Sequence, residues 1–170
     1  PSLLDGFRCF DKEAEALMQS QSSANGRSRP EPSSKARVFS GIQPSGDMQI
    51  GNYLGAVKGW VERQAEKESF ICIVDLHSLT VYQDPDELQS QTRGLGAMLL
   101  ACGIDPEVTT LFVQGHVAAH SGLSWVLSCV TPVGWLERMT QYKTKADFQE
   151  SVSTGLLEYP VLMAADIFLY

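Results

Sequence analysis

The run Phe70-Ile71-Cys72-Ile73-Val74 constrains the fold of this chain more than any other stretch. It is apolar throughout, rich in β-branched residues and of strand length. It leaves no polar face, which fits a strand covered on both sides in a parallel sheet. Asp75-Leu76-His77 follows at once, placing polar groups at the strand end where such sheets build their sites. Residues 37–42 and 109–114 read as two further strands. Helical patterns lie between and after them. Residues 52–66 set Leu54, Val57, Trp60 and Val61 on one face. Asp84-Pro85-Asp86-Glu87 opens the next helix: Asp84 as cap, Pro85 at the first helical position, Glu87 at capping-box spacing. That helix stops at Gly103, a C′ glycine. Residues 119–129 and 132–142 are helical by pattern, 143–153 are polar and expected to be mobile, and a last helix comes after them. Strand alternating with helix predicts right-handed crossovers and an α/β fold with a parallel sheet.

Two domains of unequal character are expected. Residues 1–36 carry no sustained period, and 19–34 are dominated by Ser, Asn, Arg, Pro and Gln, which bury too little apolar area to offset chain entropy. They read as a disordered amino-terminal extension. Scattered Arg and Ser resemble the remainder of an organellar transit peptide, whereas Asp5, Asp11, Glu13 and Glu15 are acidic for one. Residues 37–170 read as the folded part. The chain lacks an initiator Met and stops inside an apolar helical run, so it is read as a piece of a longer protein. No apolar run is long enough to span a membrane. The net charge of -7 gives no bulk attraction to nucleic acid, so any such partner needs a local patch. Cys9, Cys72, Cys102 and Cys129 form neither a CxxC pair nor a zinc spacing, and buried free thiols are expected. No metal site is expected.

Two constellations stand out. Gly41-Ile42-Gln43-Pro44-Ser45-Gly46, followed by Ile50-Gly51-Asn52, turns a strand sharply into a helix. Such a turn presents backbone N–H groups and a positive helix end, which suit phosphate. Gly51 leaves room for a ring or sugar against backbone, and Gln43 and Asn52 can hydrogen-bond ribose or phosphate oxygens. Neither GxGxxG nor GxxxxGK[ST] is present, so spacing alone leaves an ordinary β–α turn open. Tyr159, Met163 and Asp166, at i, i+4 and i+7, share one helix face. A carboxylate beside a thioether suits a flat ring bearing an N–H donor. A helix with one exposed or capped Asp fits the same spacing.

The turn, together with Ile73-Val74-Asp75-Leu76-His77, Gln83-Asp84-Pro85, Gly103-Ile104-Asp105-Pro106, Leu136-Glu137-Arg138-Met139-Thr140-Gln141 and the segment from Gly155 to Ile167, resembles tryptophanyl-tRNA synthetase of the bacterial and organellar type, a class I aminoacyl-tRNA synthetase. The resemblance covers residues 37–170. It implies a Rossmann-like parallel sheet with helices on both faces, the class I catalytic domain in truncated form, without the rest of that domain or an anticodon-binding domain. It implies that Gln43, Pro44, Ser45, Gly51 and Asn52 hold ATP, with Gln49 departing from the family's usual residue. It implies that Lys145 meets the ATP phosphates, so that Gln43, Asn52 and Lys145 form the catalytic set. Tryptophan would lie against Phe39, His77, Tyr159, Met163 and Asp166, with Asp166 accepting the indole N–H. His116 and His120 are read as structural or surface residues, and Arg138 as paired with a carboxylate.

The implied activity is a tryptophan–tRNA ligase reaction: tryptophan and Mg2+-bound ATP give tryptophanyl-adenylate, and tRNA(Trp) takes the aminoacyl group. A homodimer is implied, in a chloroplast or mitochondrion sooner than the cytoplasm. The lysine-rich second signature is not found, so the chain by itself is expected to be close to inactive. The rival readings are tyrosyl-tRNA synthetase, another adenylyl transferase of the superfamily, and a catalytically silent binding product.

Overall fold

A computed structural model describes residues 35–46, 48–146 and 152–170, with the backbone alone for residues 141, 145 and 146. Of the extension read into residues 1–36, residues 1–34, Cys9 among them, lie outside the described residues.

Among the described residues three strands form one parallel sheet in the order β1-β2-β3: β1 Arg37–Ile42, β2 Glu68–Ile73 and β3 Thr109–Val113. Phe39 lies beside Phe70, and Gly41, Cys72 and Phe112 share a row. The central strand is β2, and its alternate residues feed two different layers. Ile71 and Ile73 enter the main core with Val57, Leu95, Leu99 and Ile104. On the other side, Phe39, Phe70 and Phe112 contact the ring of Tyr170. The unbroken apolar run is the sequence's record of this two-sided cover.

The crossover from β1 to β2 is not one regular helix. It runs as α1 (Ile50–Asn52), a π-helical turn at Tyr53–Val57 and α2 (Lys58–Arg63). A π turn inserts an extra residue and rotates the helix beyond it. Leu54 is therefore 62% exposed, whereas Val57 is fully buried and Trp60 and Val61 pack on the core. The predicted stripe is thus corrected at Leu54.

After β2 come α3 (Asp75–Ser78) and the long α4 (Pro85–Ala101). The Asp84 carboxylate accepts from the N–H groups of Asp86 and Glu87, both at 3.0 Å. Glu87 does not close the box: its carboxylate accepts from Gln91 one turn on. Gly103 ends the segment at φ +105°, as a C′ glycine should. After β3 the chain makes a 3-10 turn (Gln114–His116), then α5 (Ala119–Ser128). The helix expected over 132–142 divides into α6 (Val133–Leu136) and α7 (Thr140–Ala146), with Met139 N–H turning back to the Leu136 carbonyl. The segment expected to be mobile from 143 is helical through Ala146. Finally α8 (Thr154–Phe168), capped by Ser153, runs beside α5. Cys72 is buried, Cys102 half-buried and Cys129 exposed, because α5 ends one residue before Cys129 and leaves it in the following turn. Arg138 is exposed and pairs with no carboxylate among the described residues.

Candidate functional site

Parallel strands end on one side of a sheet, so the segments that extend from them converge. Asp75 fixes that convergence. Its Oδ1 accepts from Leu76 N–H at 3.0 Å, opening α3, and from Gly115 N–H at 2.8 Å, in the turn beyond β3. A Cβ at Gly115 would stand 2.8 Å from Asp75 Oδ2, so the glycine permits the approach. One carboxylate thus holds His77 and Gln114, from two different strand ends, in fixed relation.

Both side chains meet Asp166, carried in by α8. His77 Nε2 lies 2.9 Å from Asp166 Oδ2, Gln114 Nε2 donates to Oδ1 at 2.7 Å, and His120 Nδ1 lies 2.7 Å from the same Oδ1. Asp166 is 2% exposed. Burial raises its carboxyl, but the hydrogen bonds from His77, Gln114 and His120, with the charge of His77, outweigh it. The group sits below its ordinary value of 3.8 and is a stable anion. A carboxylate offers about four acceptor positions. Three are taken, and the open one is on Oδ2.

Asp166 is among the residues that line a cavity of about 480 Å3. Phe39, Val74, Met163 and Ile167 give it apolar walls, and Gln43, His77 and Tyr159 give it polar edges. Gly41 lines it too, and a Cβ there would fall 2.8 Å from Val74 Cγ1. Its chemistry fits a flat apolar group carrying one N–H or O–H donor. Burial pushes the Tyr159 phenol up, so it is neutral at physiological pH. A larger cavity of about 560 Å3, between α4 and the opposite face of the sheet, gathers none of the residues assigned to the site from the sequence.

Of those residues, Phe39, Gln43, His77, Tyr159, Met163 and Asp166 share the one cavity. Pro44 is buried beside it in sequence, and Ser45 is exposed with its N–H bonded to the Gln43 carbonyl. Gly51 and Asn52 are exposed on α1 and do not line the cavity. Gln49 precedes α1 and makes no side-chain cap bond. Lys145 falls on α7, and its side chain lies outside the described ones.

Sequence reasoning missed Gln114 and Tyr170, and of the two readings it left for His120, structural or surface, burial selects the structural one. His120 has no exposed surface; its Nδ1 reaches Asp166 and its Nε2 lies 3.1 Å from Tyr170 Oη. The Tyr170 ring stacks on Phe39 with centroids 4.9 Å apart and planes 10° from parallel. Burial, then Cys72 and Asp166, raise the Tyr170 phenol, which keeps its proton. Burial, then Asp166 and Asp75, push the Cys72 thiol up to about 12, so it is an unreactive core group. A polar residue right after an apolar strand was the available signal for Gln114. His120 gave none, because its partners lie 46 and 50 residues away.

The family model described as tRNA synthetases class I (W and Y) matches residues 31–170. The chain is 58% identical over 137 residues to the tryptophan–tRNA ligase of Synechocystis, covering 80% of this chain and 41% of that protein. It is 58% identical over 134 residues to the tryptophan–tRNA ligase of Caldanaerobacter subterraneus, covering 79% of this chain and again 41% of that protein. The chain therefore spans about two fifths of the length of these relatives. The Campylobacter jejuni tryptophanyl-tRNA synthetase solved with ADP and tryptophan superposes with TM-score 0.73 at 44% identity, over 77% of this chain and 41% of that one. A tyrosyl-tRNA synthetase from Archaeoglobus fulgidus shares the fold, with TM-score 0.64 at 17% identity, over 79% of this chain and 43% of that one. The chain belongs to the class I tRNA synthetases of the tryptophan and tyrosine group.

Proposed function

We propose that this chain carries the amino acid pocket and part of the ATP site of a tryptophan–tRNA ligase. The observation that carries the reading is the buried Asp166 anion, with one open acceptor position, in the lining of a largely apolar cavity. An indole presents one N–H on a flat apolar ring and matches that pocket; Met163 and Phe39 take the ring faces. Relatives more than half identical over the matched region are tryptophan–tRNA ligases, and one neighbour was solved with tryptophan and ADP.

In this reading the tryptophan carboxylate attacks the α-phosphorus of ATP in line, the bond to pyrophosphate breaks, and tryptophanyl-adenylate results. The terminal ribose of tRNA(Trp) then takes the aminoacyl group and AMP leaves. Protein contributes position and charge stabilisation more than covalent chemistry. Gln43, at the cavity edge, faces both substrates; Pro44, Ser45, Gly51 and Asn52 form the turn that receives the nucleotide; Lys145 supplies positive charge for the phosphates. Magnesium arrives with ATP, and two copies of the chain associate.

Calorimetric titration of this chain with tryptophan, tyrosine and phenylalanine tests the reading. Tryptophan is expected to bind at least about tenfold more tightly than phenylalanine, because a buried acceptor left unpaired is costly. Equal affinities, or a preference for tyrosine, would sink it.

A further inference from the structure

We propose that His120 is the positioning residue that sets the selectivity of this pocket: it locks Asp166 in one orientation and joins that carboxylate, through Tyr170, to the aromatic wall at Phe39. His120 is fully buried and does not line the cavity, so it acts through other side chains. The direction of its hydrogen bonds is set by donor chemistry. An ionised carboxylate only accepts, so the proton of the 2.7 Å contact with Asp166 Oδ1 sits on His120 Nδ1. A neutral imidazole then has an acceptor at Nε2, and the group 3.1 Å from it is the Tyr170 hydroxyl, which donates. The chain of donors runs one way, Tyr170 to His120 to Asp166.

Its consequence is geometric. His120 and Gln114 together fill the acceptor positions of Oδ1. Rotating the carboxylate would break both bonds in a buried site, so the open position stays on Oδ2. Without His120, Gln114 alone would hold Oδ1, and the carboxylate would keep only that bond and the one from His77 to Oδ2, a freer arrangement. His120 also reaches Tyr170, whose ring is stacked on Phe39. The acceptor for the ligand N–H and the wall for the ligand ring are thereby held at a fixed separation by two side chains, His120 and Tyr170.

The ligand part of this inference rests on the tryptophan reading; the donor chain itself does not. Two measurements on this chain separate them. Spectra of 15N-histidine-labelled protein at neutral pH are expected to show His120 as the Nδ1–H tautomer with a slowly exchanging proton. An Nε2–H tautomer, or a doubly protonated ring, would overturn the proposal whatever the ligand. Calorimetry then compares tryptophan with its benzothiophene isostere, in which sulfur replaces the N–H. The unaltered chain is expected to prefer tryptophan by at least about tenfold. His120→Leu should lose most of that preference while its affinity for the isostere changes less than about threefold. His120→Asn, whose amide N–H stands in for Nδ1–H, should recover it. Equal loss for both ligands, the mark of a merely structural role, would overturn the proposal, as would an undiminished preference in His120→Leu. If the unaltered chain shows the stated tautomer yet no preference, the tryptophan reading fails and the selectivity role falls with it.

Discussion

At the scale of the residue, Asp166 concentrates the chemistry. Its folded carboxyl lies below the ordinary 3.8, so the unfolded chain binds more protons in that acid range. Stability from this group is therefore complete above about pH 4 to 5 and is lost as pH falls through the folded value. Urea denaturation between about pH 2.5 and 5 should show stability rising with pH, and Asp166→Asn should flatten the rise. The same Asp166→Asn is expected to weaken discrimination of tryptophan from phenylalanine by at least about tenfold, read by calorimetry, because an amide in that place can turn a donor towards the ligand. The cysteines divide by burial. Cys129 should react with a thiol reagent in the native protein and Cys72 only on unfolding, since burial holds its thiol at about 12. Loss of the fast-reacting group in Cys129→Ser checks the assignment.

At the scale of the element, helix ends were legible and helix interiors less so. Asp84 and Gly103 bracket their helix as their chemistry dictates: one accepts two orphan N–H groups, the other adopts a left-handed φ of +105°. Asp84→Ala should cost about 1 kcal/mol of stability by denaturant midpoint. Gly103→Ala should also destabilise, because its Cβ would meet Val61 Cγ1 at 3.3 Å on top of the backbone strain. The π turn at Tyr53–Val57 was not legible. A regular helix and one with a single inserted residue share the same local propensities, and burial of Val57 against Ile71, Ile73 and Leu99 is what selects between them. The predicted face therefore held at Val57, Trp60 and Val61 and failed at Leu54.

At the scale of the whole molecule, one sheet separates two layers with different work. The α4 side is the main core, in which Leu99 has no exposed surface. Leu99→Ala should cost about 2–5 kcal/mol, seen as a lower urea midpoint with an unchanged slope. The Tyr170 side is the floor of the candidate site. Gly41→Ala acts there on two things at once: the new methyl would sit 2.8 Å from Val74 Cγ1 beside the cavity. About 1–3 kcal/mol of stability should be lost, with weaker ligand binding. The parallel α/β layout was legible in the order of residues, because an apolar strand with no polar face can only be buried on both sides, and so was the Tyr159, Met163 and Asp166 face, because helical spacing is a local property. What surrounds Asp166 was not legible there and follows from the packing of distant segments. His77, Gln114 and His120 belong to three segments whose meeting depends on strand order and helix packing, and no spacing along the chain encodes that a buried anion will draw its donors from all of them.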